Sequence, residues 1–141
     1  MTLLLISILA TYASISDLKH RIIPNGLTLT TLFLCAIFAY SNAYFLQAAA
    51  ISTSCFILSI TLWHLGFWGG GDAKYFPALM LGIKPEFSIE AVCHIGFLGG
   101  ITSLIIYITC FFSKRNIKEM GIPYGIPISL SCLYFLYLSS I

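Results

Sequence analysis

The chain has 141 residues, of which 59% are hydrophobic and 9% charged, far from the roughly half-apolar, quarter-charged balance of a soluble domain. That composition belongs in a lipid bilayer and excludes a soluble fold. The net charge of +2 rests on few residues, with no basic stripe interleaved with aromatics, which excludes nucleic acid as a partner.

The first apolar segment, 2–16, lacks the positive n-region of a secretory signal and is followed by five more apolar segments, so it reads as a first transmembrane helix. The others fall at 27–46, 48–67, 73–83, 89–112 and 123–141, separated by polar or Gly/Pro breaks. The expectation is an all-α polytopic protein with six transmembrane helices and one membrane-embedded domain, 1–141, because the short connections leave no room for a soluble module. The second, third and fifth segments approach or exceed the roughly 20 residues that cross 30 Å of hydrocarbon. The fourth is short: as a helix it rises only about 16 Å.

Basic residues near span ends favour the cytoplasmic side. Lys19 and Arg21 mark the first loop and Lys114, Arg115 and Lys118 the last, whereas 41–47 and 84–88 contain only Lys84. Both basic loops fall on one side only if the fourth segment also crosses, with Lys74 snorkelling at one end and the helix extending through Lys84 toward Glu86 at the other. Residues 17–26, 67–72 and 113–122 are then expected to be cytoplasmic, and both chain ends outside. Asp17 and Asp72 share the cytoplasmic face on this reading.

These are the chain's two aspartates. A charge at the bilayer centre costs about 2.5–3.5 kcal/mol on insertion scales, so an ionisable group near a span needs water, a partner or a function. Taken singly, each has a plain structural reading: Asp17 as a solvated helix end beside Lys19 and Arg21, and Asp72 as the N-cap of the fourth helix. Their settings add chemistry. Asp17-Leu18-Lys19-His20-Arg21-Ile22-Ile23-Pro24-Asn25 couples one acid to an Ile-Pro-Asn break between helices. Gly69-Gly70-Gly71-Asp72-Ala73-Lys74 couples the other to a flexible turn where Gly69 and Gly71 let a substrate backbone come close.

The remaining polar residues read as structural. Cys35, Cys55, Cys93, Cys110 and Cys132 stand singly, without the C-x-x-C spacing of zinc or redox sites, and are expected to be buried, inert thiols. His20, His64 and His94 lie on separate segments without metal-ligand spacing. Ser14, Ser52, Thr53 and Ser54 are expected to bond their own helix carbonyls. Gly99-Gly100 suits close helix packing, and Glu86 and Glu90 fall on the outer side. No metal and no cofactor is expected.

The two motifs resemble the paired signatures of type IV prepilin peptidases and archaeal preflagellin peptidases, an Asp with Ile-Pro-Asn near the first helix and Gly-x-Gly-Asp-x-Lys before the fourth. The similarity extends to the segment count, the motif spacing and the Pro123-Tyr124-Gly125-Ile126-Pro127 turn before the last helix. It implies a membrane aspartyl endopeptidase with Asp17 and Asp72 as its catalytic carboxylates and Pro24, Asn25, Gly69, Gly71 and Lys74 in support. One carboxylate would activate water and the other protonate the substrate carbonyl. Lys74 and the helix N-terminus favour an ionised Asp72 and lean toward it as the base, but the pair would titrate as a unit and the sequence leaves the assignment of base and acid open.

The implied substrate is a prepilin-like precursor whose short basic leader precedes a hydrophobic helix, cut on the cytoplasmic face of the inner membrane. Many bacterial relatives carry an additional N-terminal cytoplasmic domain with two C-x-x-C pairs, associated with methylation. This chain begins directly with the first span and resembles the short members that serve Flp/Tad-type pili, so cleavage without methylation is expected. Two other classes fit the aspartates: an ion-coupled transporter, whose acids and glycine-rich break would hold a cation, and a noncatalytic scaffold of a pilus or secretion machine. The first predicts transport without cleavage. The second predicts that either aspartate is dispensable.

Overall fold

A computed structural model describes residues 1–113 and 124–141. Lys114, Arg115, Lys118 and Pro123 lie outside the described residues. The protein is an all-α membrane protein. Among the described residues there are six helices, α1 (Thr2–His20), α2 (Asn25–Ser41), α3 (Phe45–His64), α4 (Gly70–Met80), α5 (Ser88–Ser113) and α6 (Gly125–Ser140), with a 3₁₀ turn at Pro85–Phe87 and no strand. By length and composition α1, α3 and the stretch Pro85–Phe112 are long and apolar enough to cross a bilayer, while α2 and α6 are shorter apolar helices.

The packing runs from small residues inside to large ones outside. The faces turned inward carry Ala10 and Ala13 on α1, Ala48, Ser52, Cys55 and Ser59 on α3, and Ser129, Ser131 and Cys132 on α6. Leu29, Phe33, Phe97 and Phe111 point outward and are largely exposed. In water that surface would aggregate. In lipid there is no hydrophobic drive between helices, and association comes from close packing of small side chains and from interhelical hydrogen bonds.

Hydroxyls follow the same rule. Ser14, Thr53 and Ser54 donate to the carbonyls four residues back, as expected. Ser52 does not: it donates across to Pro77 O of α4 at 2.7 Å, because its small side chain lies on the buried face where α3 meets α4. The thiol expectation also needs one correction, since Cys93 is exposed while the other four cysteines are buried. Its position on α5 faces away from the bundle.

The bundle has two ends, each defined by contacts between distant residues. At one end Gly71 packs on Ile23, Gly70 lies near Trp63, and Gly125 meets Asp17. At the other, Tyr44 donates to Gly82 O at 2.6 Å and the Lys84 N–H donates to Ser139 Oγ at 2.9 Å. Helix α4 and the turn after it run the whole way between the two. Glu86 and Glu90 lie at the second end, in the 3₁₀ turn and the first turn of α5, away from the aspartates.

Helix α4 is the core of the bundle, packed on α2, α3 and α6. From Asp72 to Ile83 every residue but Lys74 is buried, and a helix that is apolar all round is an interior one. It stops at Met80 rather than extending through Lys84. A tight turn replaces the last part of the expected helix: the N–H groups of Gly82 and Ile83 donate three residues back, and Pro85 then opens the 3₁₀ turn.

Candidate active site

Helix α1 buries Ile6, Ala10, Ala13 and Asp17, a spacing of four, three and four that puts all of them on one face. Asp17 is therefore the last member of the stripe turned into the bundle. It was expected in a loop starting at 17, but the helix continues through His20, and Arg21 ends it in the left-handed region at φ 56° with its N–H on Asp17 O at 3.0 Å. Hydropathy ends the segment early because polar residues begin at 16. The backbone does not. Pro24 then serves as N-cap of α2, which begins at Asn25.

The Asp17 carboxylate is held by the last helix. Its Oδ2 accepts the Gly125 N–H at 2.9 Å, and both residues are buried. Gly125 is the first residue of α6, so this N–H is one of those a helix cannot satisfy internally, and the positive end of the α6 dipole faces the carboxylate. The approach requires glycine. A methyl group at position 125 would stand 2.8 Å from Asp17 Oδ2 and 2.9 Å from its Cβ.

Asp72 is reached through the α3–α4 turn. Helix α3 closes with the Gly66 N–H on Trp63 O and the Phe67 N–H on Leu62 O, a Schellman arrangement that needs the positive φ of 78° at Gly66. Gly69, not Asp72, is the N-cap of α4. Asp72 is the third helical residue, and its carboxylate reaches back to the Gly69 backbone N–H, as the acid of a capping box does. Three glycines let the helix start before the first polar side chain. Asp72 Oδ1 is buried and has no hydrogen-bond partner among the described residues.

Two contacts bring the motifs together. Gly71 lies against Ile23: a Cβ there would be 3.3 Å from the Ile23 backbone N and from its Cβ. The expected flexible turn is thus the first turn of a helix, and the backbone that comes close to Gly71 is the chain's own. Lys74 Nζ donates to Asn25 Oδ1 at 3.4 Å, on the exposed side. Asp72 in consequence feels the charge of Asp17, and Arg21 acts on both carboxylates.

Arg21, Ile23 and Gly125 were not singled out from the sequence as site residues. Arg21 lies inside the first motif, where it serves the topology and the plain reading of Asp17 as a solvated helix end; Gly125 lies inside the late Pro-Tyr-Gly-Ile-Pro turn. Among the described residues the cation that acts on the carboxylates is Arg21, while Lys74 is engaged by Asn25. Next to the site Trp68 packs edge-on to Phe76 at 5.4 Å and tilted on Tyr124 at 5.8 Å. Tyr124 in turn covers Gly99, where a Cβ would lie 2.8 Å from the ring; Gly100 has nothing within 4 Å. Among the described residues, Gly99 and not Gly100 serves close packing. Two acids of like charge in one buried place favour a shared proton, an arrangement able to offer a base and an acid together.

Residues 4–113 match the Type IV leader peptidase family. The chain is also 36% identical over 75 residues to Prepilin peptidase EppA of Methanothermobacter thermautotrophicus, an alignment that covers 48% of this chain and 20% of that protein. The chain thus matches only a fifth of that relative's length. No solved structure matches. The family match includes both aspartate motifs and most of the helical bundle, and on that extent the chain belongs to the type IV leader peptidase family.

Proposed function

We propose that this chain is an aspartyl endopeptidase of the inner membrane that removes the short basic leader from prepilin-like precursors. The observation that carries the reading is that two distant motifs meet at Gly71–Ile23 and Lys74–Asn25, each with a buried aspartate, one held by the Gly125 N–H and the other with a buried oxygen unpartnered among the described residues. The family match and the likeness to a prepilin peptidase support the substrate class.

In the reaction the ionised member of the pair takes a proton from water as the water oxygen attacks the scissile carbonyl carbon. The protonated member gives its proton to the carbonyl oxygen, leaving a neutral tetrahedral diol. Collapse breaks the C–N bond as the protonated member gives its proton to the amine nitrogen and the ionised member takes one from a diol hydroxyl, which re-forms the carbonyl and returns the pair to one shared proton. Because the two acids titrate as a unit, the roles belong to the dyad. Asp72 Oδ1 is the oxygen available to water or to the substrate carbonyl.

The basic residues Lys19 and Arg21 beside the site support a cytoplasmic orientation for it. Hydrolysis without methyl transfer is part of the proposal, supported by cysteines that stand singly in the sequence, without a C-x-x-C pair. Purified protein in detergent is expected to cut a precursor at one bond, just before its hydrophobic segment, and to leave an unmethylated amine. Mass spectrometry of the products reads both points. Scattered cleavage, no cleavage, or a methylated product would contradict the corresponding part.

A further inference from the structure

Tyr124 immediately precedes Gly125 and is the N-cap of α6, and its side chain reaches two other elements. On α5 its ring covers Gly99, where a Cβ would stand 2.8 Å from ring carbon Cε1 and 3.4 Å from Cδ1. One turn further along α5, its hydroxyl lies 3.2 Å from Ser103 Oγ. Ser103 Oγ gives its one proton to Gly99 O at 2.7 Å, so in the pair the Tyr124 hydroxyl is the donor. In the α3–α4 turn the ring meets Trp68 at 5.8 Å, and Trp68 packs edge-on against Phe76 at 5.4 Å. Phe76 follows Asp72 by one helical turn and shares its face of α4.

We propose that Tyr124 is a positioning residue for the aspartate pair. By docking on Gly99 and Ser103 it sets where α6 begins and so holds the Gly125 N–H on Asp17, while Trp68 and Phe76 tie the same ring to the face of α4 that carries Asp72. The proposal rests on the leader-peptidase reading above and adds α5, which carries neither aspartate, to the elements that hold the site. The N-terminal turn of α6 needs such a hold. Helix ends fray, and Tyr124 makes no side-chain cap bond to its own helix, so the place of the Gly125 N–H depends on what the Tyr124 ring and hydroxyl meet outside α6. A carboxylate that is fixed by one N–H is only as well placed as the turn that presents it.

The test uses the full chain in detergent micelles with nitrogen-labelled glycine, comparing the unmodified protein with Tyr124→Leu, Tyr124→Phe and Ser103→Ala. Amide hydrogen exchange, followed by NMR, reads the contact without substrate. The Gly125 amide is expected to exchange about tenfold faster in Tyr124→Leu and about fivefold faster in the other two, while the Gly82 amide, which donates to Leu79 O at the other end of the bundle, keeps its rate. Cleavage of a synthetic precursor with a basic leader, a Gly junction and an apolar helix of about 20 residues reads the consequence. In Tyr124→Leu kcat is expected to fall about tenfold with KM unchanged, and Tyr124→Leu combined with Gly125→Ala to be no slower than Gly125→Ala alone, since both act through one contact. Equal acceleration at Gly125 and Gly82, unchanged exchange at Gly125, or an unchanged kcat with or without a rise in KM would each overturn the proposal. If Tyr124→Leu does not fold, Tyr124→Phe and Ser103→Ala carry the same comparison. Cleavage by the unmodified protein without selective exchange at Gly125 in the variants removes Tyr124 and keeps the peptidase, whereas selective exchange with no cleavage by the unmodified protein keeps the Tyr124 contact and removes the peptidase.

Discussion

A carboxylate in the last turn of a helix is opposed by that helix's own dipole, and Asp17 occupies such a place because two other groups offset it. The N-terminus of α6 presents the Gly125 N–H, and Arg21 contributes a full positive charge. Gly125 is thereby a positioning residue for Asp17. Gly125→Ala is expected to push the carboxylate out of its place, since the added carbon overlaps it, while the fold stays intact. A displacement near 1 Å costs roughly 100-fold in rate, and the loss should fall in kcat rather than KM. Steady-state kinetics, with gel filtration to check folding, measures it; an unchanged kcat would remove Gly125 from the site.

At the level of elements, α4 joins chemistry to packing: it carries Asp72 in its first turn and is buried along its length. Its register against α3 is held by the hydrogen bond from Ser52 to Pro77 O. Ser52→Ala is expected to lower stability in detergent by about 1 kcal/mol, the scale of an interhelical hydrogen bond in a membrane protein, as read by denaturant titration. Because Ser52 makes no contact with either aspartate, cleavage per folded molecule should change little. Hydropathy found all six helices but displaced several of their ends. Helices α2 and α4 start at Asn25 and Gly70, ahead of their apolar runs, and α1 outlasts its own by four residues. Caps and glycine turns set those limits, and an apolar average does not register them. For the same reason Asp17 and Asp72 were legible as a motif pair, whereas the Gly125 contact depends on how α6 docks on α1.

At the scale of the molecule, small side chains inside and large apolar ones outside describe a bundle built for lipid, with the aspartates, both motifs and the start of α6 at one end. If that end faces the cytoplasm, single cysteines at positions 22 and 67, on a background without the native ones, are expected to resist a membrane-impermeant maleimide applied from outside, while those at 42 and 86 react. Reaction at 22 or 67 would reverse the orientation. The central claim is that the two aspartates act as one catalytic unit, and the most direct measurement is precursor cleavage by Asp17→Asn, Asp72→Asn and the double variant, each purified and shown to be folded. Asn keeps the size of Asp but cannot exchange a proton. Cleavage is expected to be abolished in all three, with the double variant no worse than either single one, as for residues that work together. Substantial cleavage by either single variant would contradict the two-carboxylate mechanism.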